Sequence, residues 1–318
     1  MYLSFYGLKE EPFRLTPDPR FLHLAEPHRT VLTGLVNSIL LRKGVVVVSG
    51  PLGTGKTTIL HATLHLLSSR AVASGPTVSA FLLNPTLSRE ELLEAILEEF
   101  EVSCPTASKP RRLAALHQML LETQRRGGTA VLIVDEAHLL SPELLEEIRL
   151  LSNTDSYREK LIQVILCGQP ELVSLLARPE LRALQHRVAS RCHLRALSQP
   201  ETRAYVAERL HTAGLKGPSP FPTAALEAVF HYTQGNPRLI NLVCDSSLTI
   251  GWNQAAKQIG PEIIEEAAMG LQWPSHEPVE RVAGRPIAPP VESEIPRSAV
   301  DVLVKALKQG RTSARSQT

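Results

Sequence analysis

The chain has 318 residues, of which 43% are hydrophobic and 21% charged, with 34 basic residues against 32 acidic ones. That length suits two domains of roughly 100–200 residues each, and the composition supports a packed core. A net charge of +2 excludes a histone-like or strongly acidic protein but leaves room for a local basic patch, and 4% aromatic residues disfavour a carbohydrate binder.

No apolar run approaches the roughly 20 residues that cross a bilayer. The N-terminus lacks a charged region followed by a long apolar stretch, so it does not read as a secretory signal. Cys104, Cys167, Cys192 and Cys244 are scattered, with no metal-ligand spacing. They read as ordinary thiols in a reducing cytosol.

In chain order, residues 1–26 are turn-rich, with Gly7, Pro12, Pro17 and Pro19 among Phe5, Tyr6, Phe13 and Phe21. Residues 27–43 carry helical periodicity through Val31, Leu32, Leu35, Ile39 and Leu40. Val45–Ser49 reads as a buried strand and residues 58–70 as a helix. Residues 78–83 form a second apolar strand, expected to be buried. Residues 88–100 form a helix opened by a capping box, Ser88 with Glu91. Residues 113–126 are helical, 130–134 a third strand, 142–152 a helix and 161–167 a fourth strand. A fifth strand is expected over 193–197. Strands alternating with helices predict a parallel sheet covered on both faces. Beyond Leu197 the pattern is helical only, over 200–213, 223–234, 237–252 and 262–271. The domain boundary is therefore expected near Ser198. Residues 272–296 are Pro-rich and read as a linker. Residues 298–309 could form a short amphipathic helix through Val300, Leu303, Val304 and Leu307, ahead of a basic tail.

Two segments carry chemistry. Gly50-Pro51-Leu52-Gly53-Thr54-Gly55-Lys56-Thr57 fits the phosphate-binding pattern G-x-x-x-x-G-K-[ST]. It lies between an apolar strand and a helix, as the mechanism requires: backbone N–H groups turn in around phosphate oxygens, and the helix adds its N-terminal dipole. Lys56 is expected to reach the β- and γ-phosphates, and Thr57 to ligate Mg²⁺. Pro51, Thr54 and Thr58 complete the nucleotide-contacting set. The second segment, Val131–Val134 followed by Asp135 and Glu136, is an apolar strand ending in two carboxylates. Asp135 suits Mg²⁺, and Glu136 suits orienting and deprotonating an attacking water. The spacing of 79 positions from Lys56 to Asp135 suits a sheet with another strand inserted between the two. His138 reads as a polar residue at a helix start.

These motifs together resemble an AAA+ ATPase: a P-loop NTPase parallel sheet followed by a small all-α lid. More narrowly, the chain is similar to the ATPase of the general secretion pathway protein A (ExeA-like) group over residues 1–271. The resemblance rests on Phe5-Tyr6-Gly7-Leu8, Pro12-Phe13, Thr16–Leu22, Leu151-Ser152-Asn153, Cys167–Leu172 and Gly235–Asn241. It implies a sensor-1 role for Gln169 and an arginine finger at Arg187, with Arg191 as the rival. It implies a sensor-2 role for Arg238, and for Asn84 a part in restraining Glu136. It places the adenine pocket at the N-terminal segment, at Phe13 or Leu15.

On this reading, residues 1–197 form the ATPase core, 198–271 the lid and 272–318 a flexible linker and tail. The cofactors are ATP and Mg²⁺. The expected assembly is a cytoplasmic homo-oligomer, peripheral at the inner membrane at most, with a protein partner in a secretion or envelope machine. DNA is the alternative partner. The tail docks on membrane, on DNA or on nothing. Longer members of the group continue into a transmembrane helix and a periplasmic domain; a tail without such a span makes the secretion role conditional.

Overall fold

The computed structural model describes residues 2–271 apart from 17–18, 22, 69–74, 84–86, 106–107 and 155–158. Asn84 and the expected tail helix at 298–309 lie outside the described residues. The first part of the chain contributes α1 (Tyr2–Tyr6), α2 (Glu26–Leu40), β1 (Val45–Ser49), α3 (Lys56–Ser68), β2 (Thr77–Leu82), α4 (Arg89–Glu99) and α5 (Lys109–Arg125). It continues through β3 (Thr129–Val134), α6 (Pro142–Leu151), β4 (Ile162–Gly168), α7 (Glu171–Leu176), α8 (Arg182–Gln185) and β5 (Val188–His193). Four helices follow: α9 (Gln199–Thr212), α10 (Thr223–Thr233), α11 (Pro237–Asn253) and α12 (Pro261–Gly270).

The five strands form one parallel sheet in the order β2-β3-β4-β1-β5. The three central strands are mostly apolar because successive side chains enter different cores. Val45, Val47, Leu132, Val134, Val164 and Leu166 join α4, α5 and α6 on one face. Val46, Val48, Val131, Ile133, Ile165 and Cys167 join α2 and α3 on the other. A continuous run such as Val45–Val48 is what two-sided burial demands. The capping box expected at α4 is present, with both the Glu91 N–H to Ser88 Oγ and the Ser88 N–H to Glu91 carboxylate bonds.

Both edge strands depart from the sequence reading for one reason. The strand at 77–82 pairs only with β3 and is half-exposed, not buried. The fifth strand is Val188–His193 and not 193–197. Its residues alternate between half-buried and exposed, so they lack the apolar run that marks a central strand. Leu194 and Leu197, which suggested the later range, are buried in the extended stretch that leads out of the sheet. The opening residues also differ: Tyr2–Tyr6 is a helix within the segment read as turns.

A third core joins the N-terminal segment to the four C-terminal helices. Tyr2, Tyr6, Leu8, Phe13 and Phe21 pack with Tyr205, Leu210, Phe221, Ile240 and Leu248. Buried Arg209 of α9 ties them together. Its guanidinium donates to Pro12 O at 2.5 Å, Arg14 O at 3.1 Å and the Tyr205 hydroxyl at 2.8 Å, and the Tyr205 hydroxyl donates to Asn241 Oδ1 at 2.9 Å. Burying that cation is tolerable because its donors meet oxygen acceptors and its plane faces Phe21 and Tyr205. Ser198 caps α9 reciprocally with Glu201. The Arg195 guanidinium, and then the Ser198 N–H and hydroxyl, hold the Glu201 carboxyl down at about 2.

Candidate nucleotide site

Residues 50–55 wrap the C-terminal end of β1 before α3 begins at Lys56. Gly53 and Gly55 have φ of +79° and +94°, the left-handed region that side chains disfavour. Gly50 N–H donates to Gly168 O at 3.2 Å, anchoring the loop's first residue to the neighbouring strand. The Thr54 hydroxyl closes the turn by donating to Pro51 O at 2.8 Å. Lys56 is only 5% exposed. Its ammonium donates to Gly50 O at 2.9 Å and Pro51 O at 3.1 Å. It thus lies folded within the loop whose backbone would receive phosphate. Thr58 is exposed on the first turn of α3.

Because β4 lies between β1 and β3, the loops after all three strands emerge along one edge of the sheet. That is the strand insertion expected from the spacing of Lys56 and Asp135. The Thr57 hydroxyl donates to Asp135 Oδ2 at 2.6 Å, and Asp135 Oδ1 accepts the Glu136 N–H at 2.9 Å. Asp135 is 3% exposed. A hydroxyl and a buried carboxylate are hard oxygen donors, the set that suits Mg²⁺ when phosphate oxygens and water complete the shell. Burial, and then the Asp135 carboxylate, push the Cys167 thiol well up, so it remains protonated and offers no thiolate.

Glu136 turns the chain out of β3 with φ +51°, in the left-handed region. Its Oε2 lies 3.3 Å from His138 Nδ1 but at an angle that makes no hydrogen bond, and this oxygen is buried without a partner among the described residues. The same His138 nitrogen accepts the Gln169 backbone N–H at 3.4 Å. His138 is therefore not merely a polar residue at a helix start. It sits in the turn Ala137–Leu139, between the Glu136 carboxylate and the residue that follows β4.

Arg187 separates α8 from β5 and is half-buried, whereas Arg191 lies on the exposed side of the edge strand. Neither guanidinium has an ion-pair partner among the described residues. Arg238 opens α11 beside the loop crest, its backbone N–H reaching Gly53 O at 3.3 Å. A cleft of about 540 Å³ lies between the N-terminal segment and α11, lined by Phe13, Leu15 and Thr16 on one side and Asn241, Leu242 and Asp245 on the other. Of the two residues expected at an adenine pocket, Phe13 is 2% exposed within the core and Leu15 is 51% exposed.

Sequence reading missed His28. It comes from the first turn of α2, is buried, and its Nε2 lies 3.0 Å from Thr54 O in the phosphate loop. Burial lowers its pKa. Neutral, with Nε2–H donating to that carbonyl, it leaves Nδ1 buried with no partner among the described residues. A single histidine in an amphipathic helix carries no local signal of such a contact.

The parallel sheet and its order, the strand–loop–helix at residues 45–68 and the carboxylate pair after β3 define a P-loop NTPase fold of the AAA+ type. Residues 40–176 match the family model of the AAA domain, and the chain carries that domain. It is 38% identical over 260 residues to General secretion pathway protein A of Aeromonas hydrophila. That alignment covers 81% of this chain but 46% of the relative, so the chain spans less than half of that protein's length. Among solved structures, it is similar to the Aeropyrum pernix ORC2 protein in its ADPNP–ADP complexes, with a TM-score of 0.64 and 17% identity over 85% of this chain and 74% of that one. It is also similar to the Thermotoga maritima RuvB Holliday junction branch migration motor, with a TM-score of 0.52 and 17% identity over 78% and 70%. Identities this low bear on the fold alone. Among the described residues, no helix is long and apolar enough to cross a membrane.

Proposed function

We propose that this chain is a Mg²⁺-dependent ATPase that works as a homo-oligomer and powers or regulates assembly of a secretion or envelope machine. The observation that carries the enzymatic part is the Thr57–Asp135 contact at 2.6 Å, with Lys56 and Glu136 beside it. Residues 50–58 bind the phosphates, with Lys56 leaving its loop carbonyls for the β- and γ-oxygens. Thr57 and Asp135 would hold Mg²⁺, which when bound would supply positive charge against the developing phosphate charge. Glu136 takes the proton of the attacking water. Gln169 reads the γ-phosphate from between the two loops. Arg187 acts on the nucleotide of a neighbouring subunit, and Arg238 links its own subunit's nucleotide to the lid. Residues 1–197 act as the core, 198–271 as the lid and 272–318 as linker and tail. The cleft beside Leu15 and Leu242 is the base pocket.

The secretion role draws on the likeness to General secretion pathway protein A and on the cytoplasmic setting expected for such an ATPase. On the surface, Arg112 is paired with Glu94 and Lys109 with Glu147, so two of the four Lys and Arg side chains of α5 are already opposed by carboxylates, which weakens that helix as a stripe for DNA.

The test is Lys56→Ala. It should abolish binding of a fluorescent ATP analogue, and in the source organism it should fail to restore protein export to a strain lacking this chain. Unchanged nucleotide affinity refutes the phosphate-loop assignment. Intact export alongside lost binding refutes the secretion role.

A further inference from the structure

One carboxamide joins the phosphate loop to the first turn of α11. Asn236 Oδ1 accepts the backbone N–H groups of Arg238 at 3.0 Å and Leu239 at 3.4 Å, which caps the helix. The other end of the same side chain, Nδ2, donates to Leu52 O at 2.7 Å. The partners dictate the orientation of the amide: two N–H donors require the oxygen, and one carbonyl requires the nitrogen. The fit is close. A Cβ on Gly53 would lie 2.6 Å from Asn236 Oδ1 and 2.9 Å from Arg238 Cβ. Behind Asn236, Gly235 O accepts the Leu197 N–H at 2.9 Å, so this turn is itself pinned to the chain leaving β5.

We propose that Asn236 is a positioning residue for nucleotide turnover, a latch that holds the lid helix and the phosphate loop in one relative geometry. The proposal rests on reading residues 50–57 as the nucleotide site. A cap needs only an acceptor. The bond to Leu52 needs a donor on the same side chain, and Asn supplies both. A trans peptide points its C=O and N–H to opposite sides. Anchoring Leu52 O on Asn236 therefore also sets the direction of the Gly53 N–H, one of the donors at the loop crest. Without that bond, the hydrogen bond left between crest and lid among the described residues is the longer one from Arg238 N–H to Gly53 O at 3.3 Å.

Serine separates the two roles, since it caps a helix about as well as Asn but lacks the amide donor. Asn236→Ser and Asn236→Ala are compared with the parent chain by thermal unfolding, by affinity for a fluorescent ATP analogue, and by kcat and KM. A latch predicts that Ser keeps the parent's melting temperature yet loses about three- to tenfold in affinity, as Ala does. Ala also unfolds earlier. Asn236→Asp, an equally good cap, sets a carboxylate oxygen against the Leu52 carbonyl and loses at least as much affinity. Parent-like affinity and turnover in the Ser variant overturn the latch. Lys56→Ala, run in parallel, tells the failures apart: if it binds nucleotide normally, the loop reading itself has failed, and if it does not while Ser is normal, only the latch has.

Discussion

The Thr57 hydroxyl donates to Asp135 Oδ2 at 2.6 Å, although 78 positions separate the two residues in the chain. They meet because β1 and β3 flank β4 in one parallel sheet and all three end at the same edge. Thr57→Ala removes a charge-assisted hydrogen bond and a metal donor together. We expect Mg²⁺-dependent phosphate release to fall by about one to two orders of magnitude, and the melting temperature to drop modestly because buried Asp135 loses a partner. Phosphate release titrated against Mg²⁺ checks this, and a Mg²⁺ dependence like the parent's would place the ion elsewhere.

Glu136→Gln keeps the size and the turn but cannot accept a proton from water. ATP should bind within about threefold of the parent and remain unhydrolysed, with kcat lower by roughly 10²–10⁴. Single-turnover assays with radiolabelled ATP separate the two quantities. Parent-like turnover moves the base to another residue.

Arg187 stands between α8 and β5 with no ion-pair partner among the described residues, as suits a group reserved for a neighbouring subunit. Subunits carrying Arg187→Ala and subunits carrying Lys56→Ala should each be inactive alone. Mixed, they should recover part of the ATPase rate, because some interfaces then pair an intact loop with an intact Arg187. No recovery in a verified mixed oligomer assigns the role to Arg191 or to action within one subunit.

Burial of His28 against Thr54 O should make folding stability depend on pH. Its pKa is lowered by burial in the fold, so below about pH 6.5 the unfolded chain binds a proton that the folded chain refuses. Its stabilising contribution is complete above that pH and declines as pH falls toward the folded value, by up to about 1.4 kcal/mol per pH unit. His28→Gln, which retains a donor for Thr54 O, should flatten the acid limb of a denaturation series between pH 7.5 and 5.5. An unaltered limb would mean that another group, such as His193, whose pKa is also lowered by desolvation, carries the dependence.

Gly235 has φ +74°, and a Cβ there would collide with the Leu197 carbonyl. Gly235→Ala should therefore cost about 1–3 kcal/mol in chemical denaturation. The loss should appear first in amide exchange of α11, since Asn236 and its cap follow directly.

Local features of this protein were legible from sequence because their physics is local. Glycines at positive φ, a capping box, an apolar run buried on both faces and the helices of 10–17 residues each depend on near neighbours. The fifth strand was misplaced for the converse reason. At the sheet edge one-sided burial leaves only a weak alternation at Val188–His193, while Leu194 and Leu197 mimic a strand from outside the sheet.

The sequence by itself determined that residues 50–57 carry the phosphate-loop pattern between a strand and a helix, that Asp135 and Glu136 follow a buried strand, and that a helical region follows the sheet. Only the tertiary structure decided who meets whom. It set the Thr57 hydroxyl on Asp135, His28 against Thr54, His138 between Glu136 and Gln169, Arg209 under the N-terminal segment, and Asn236 on Leu52. Each of these contacts except that between Glu136 and His138 joins segments at least 26 positions apart. Their side-chain directions depend on strand order and on how the helices dock, and no periodicity in a single segment encodes either.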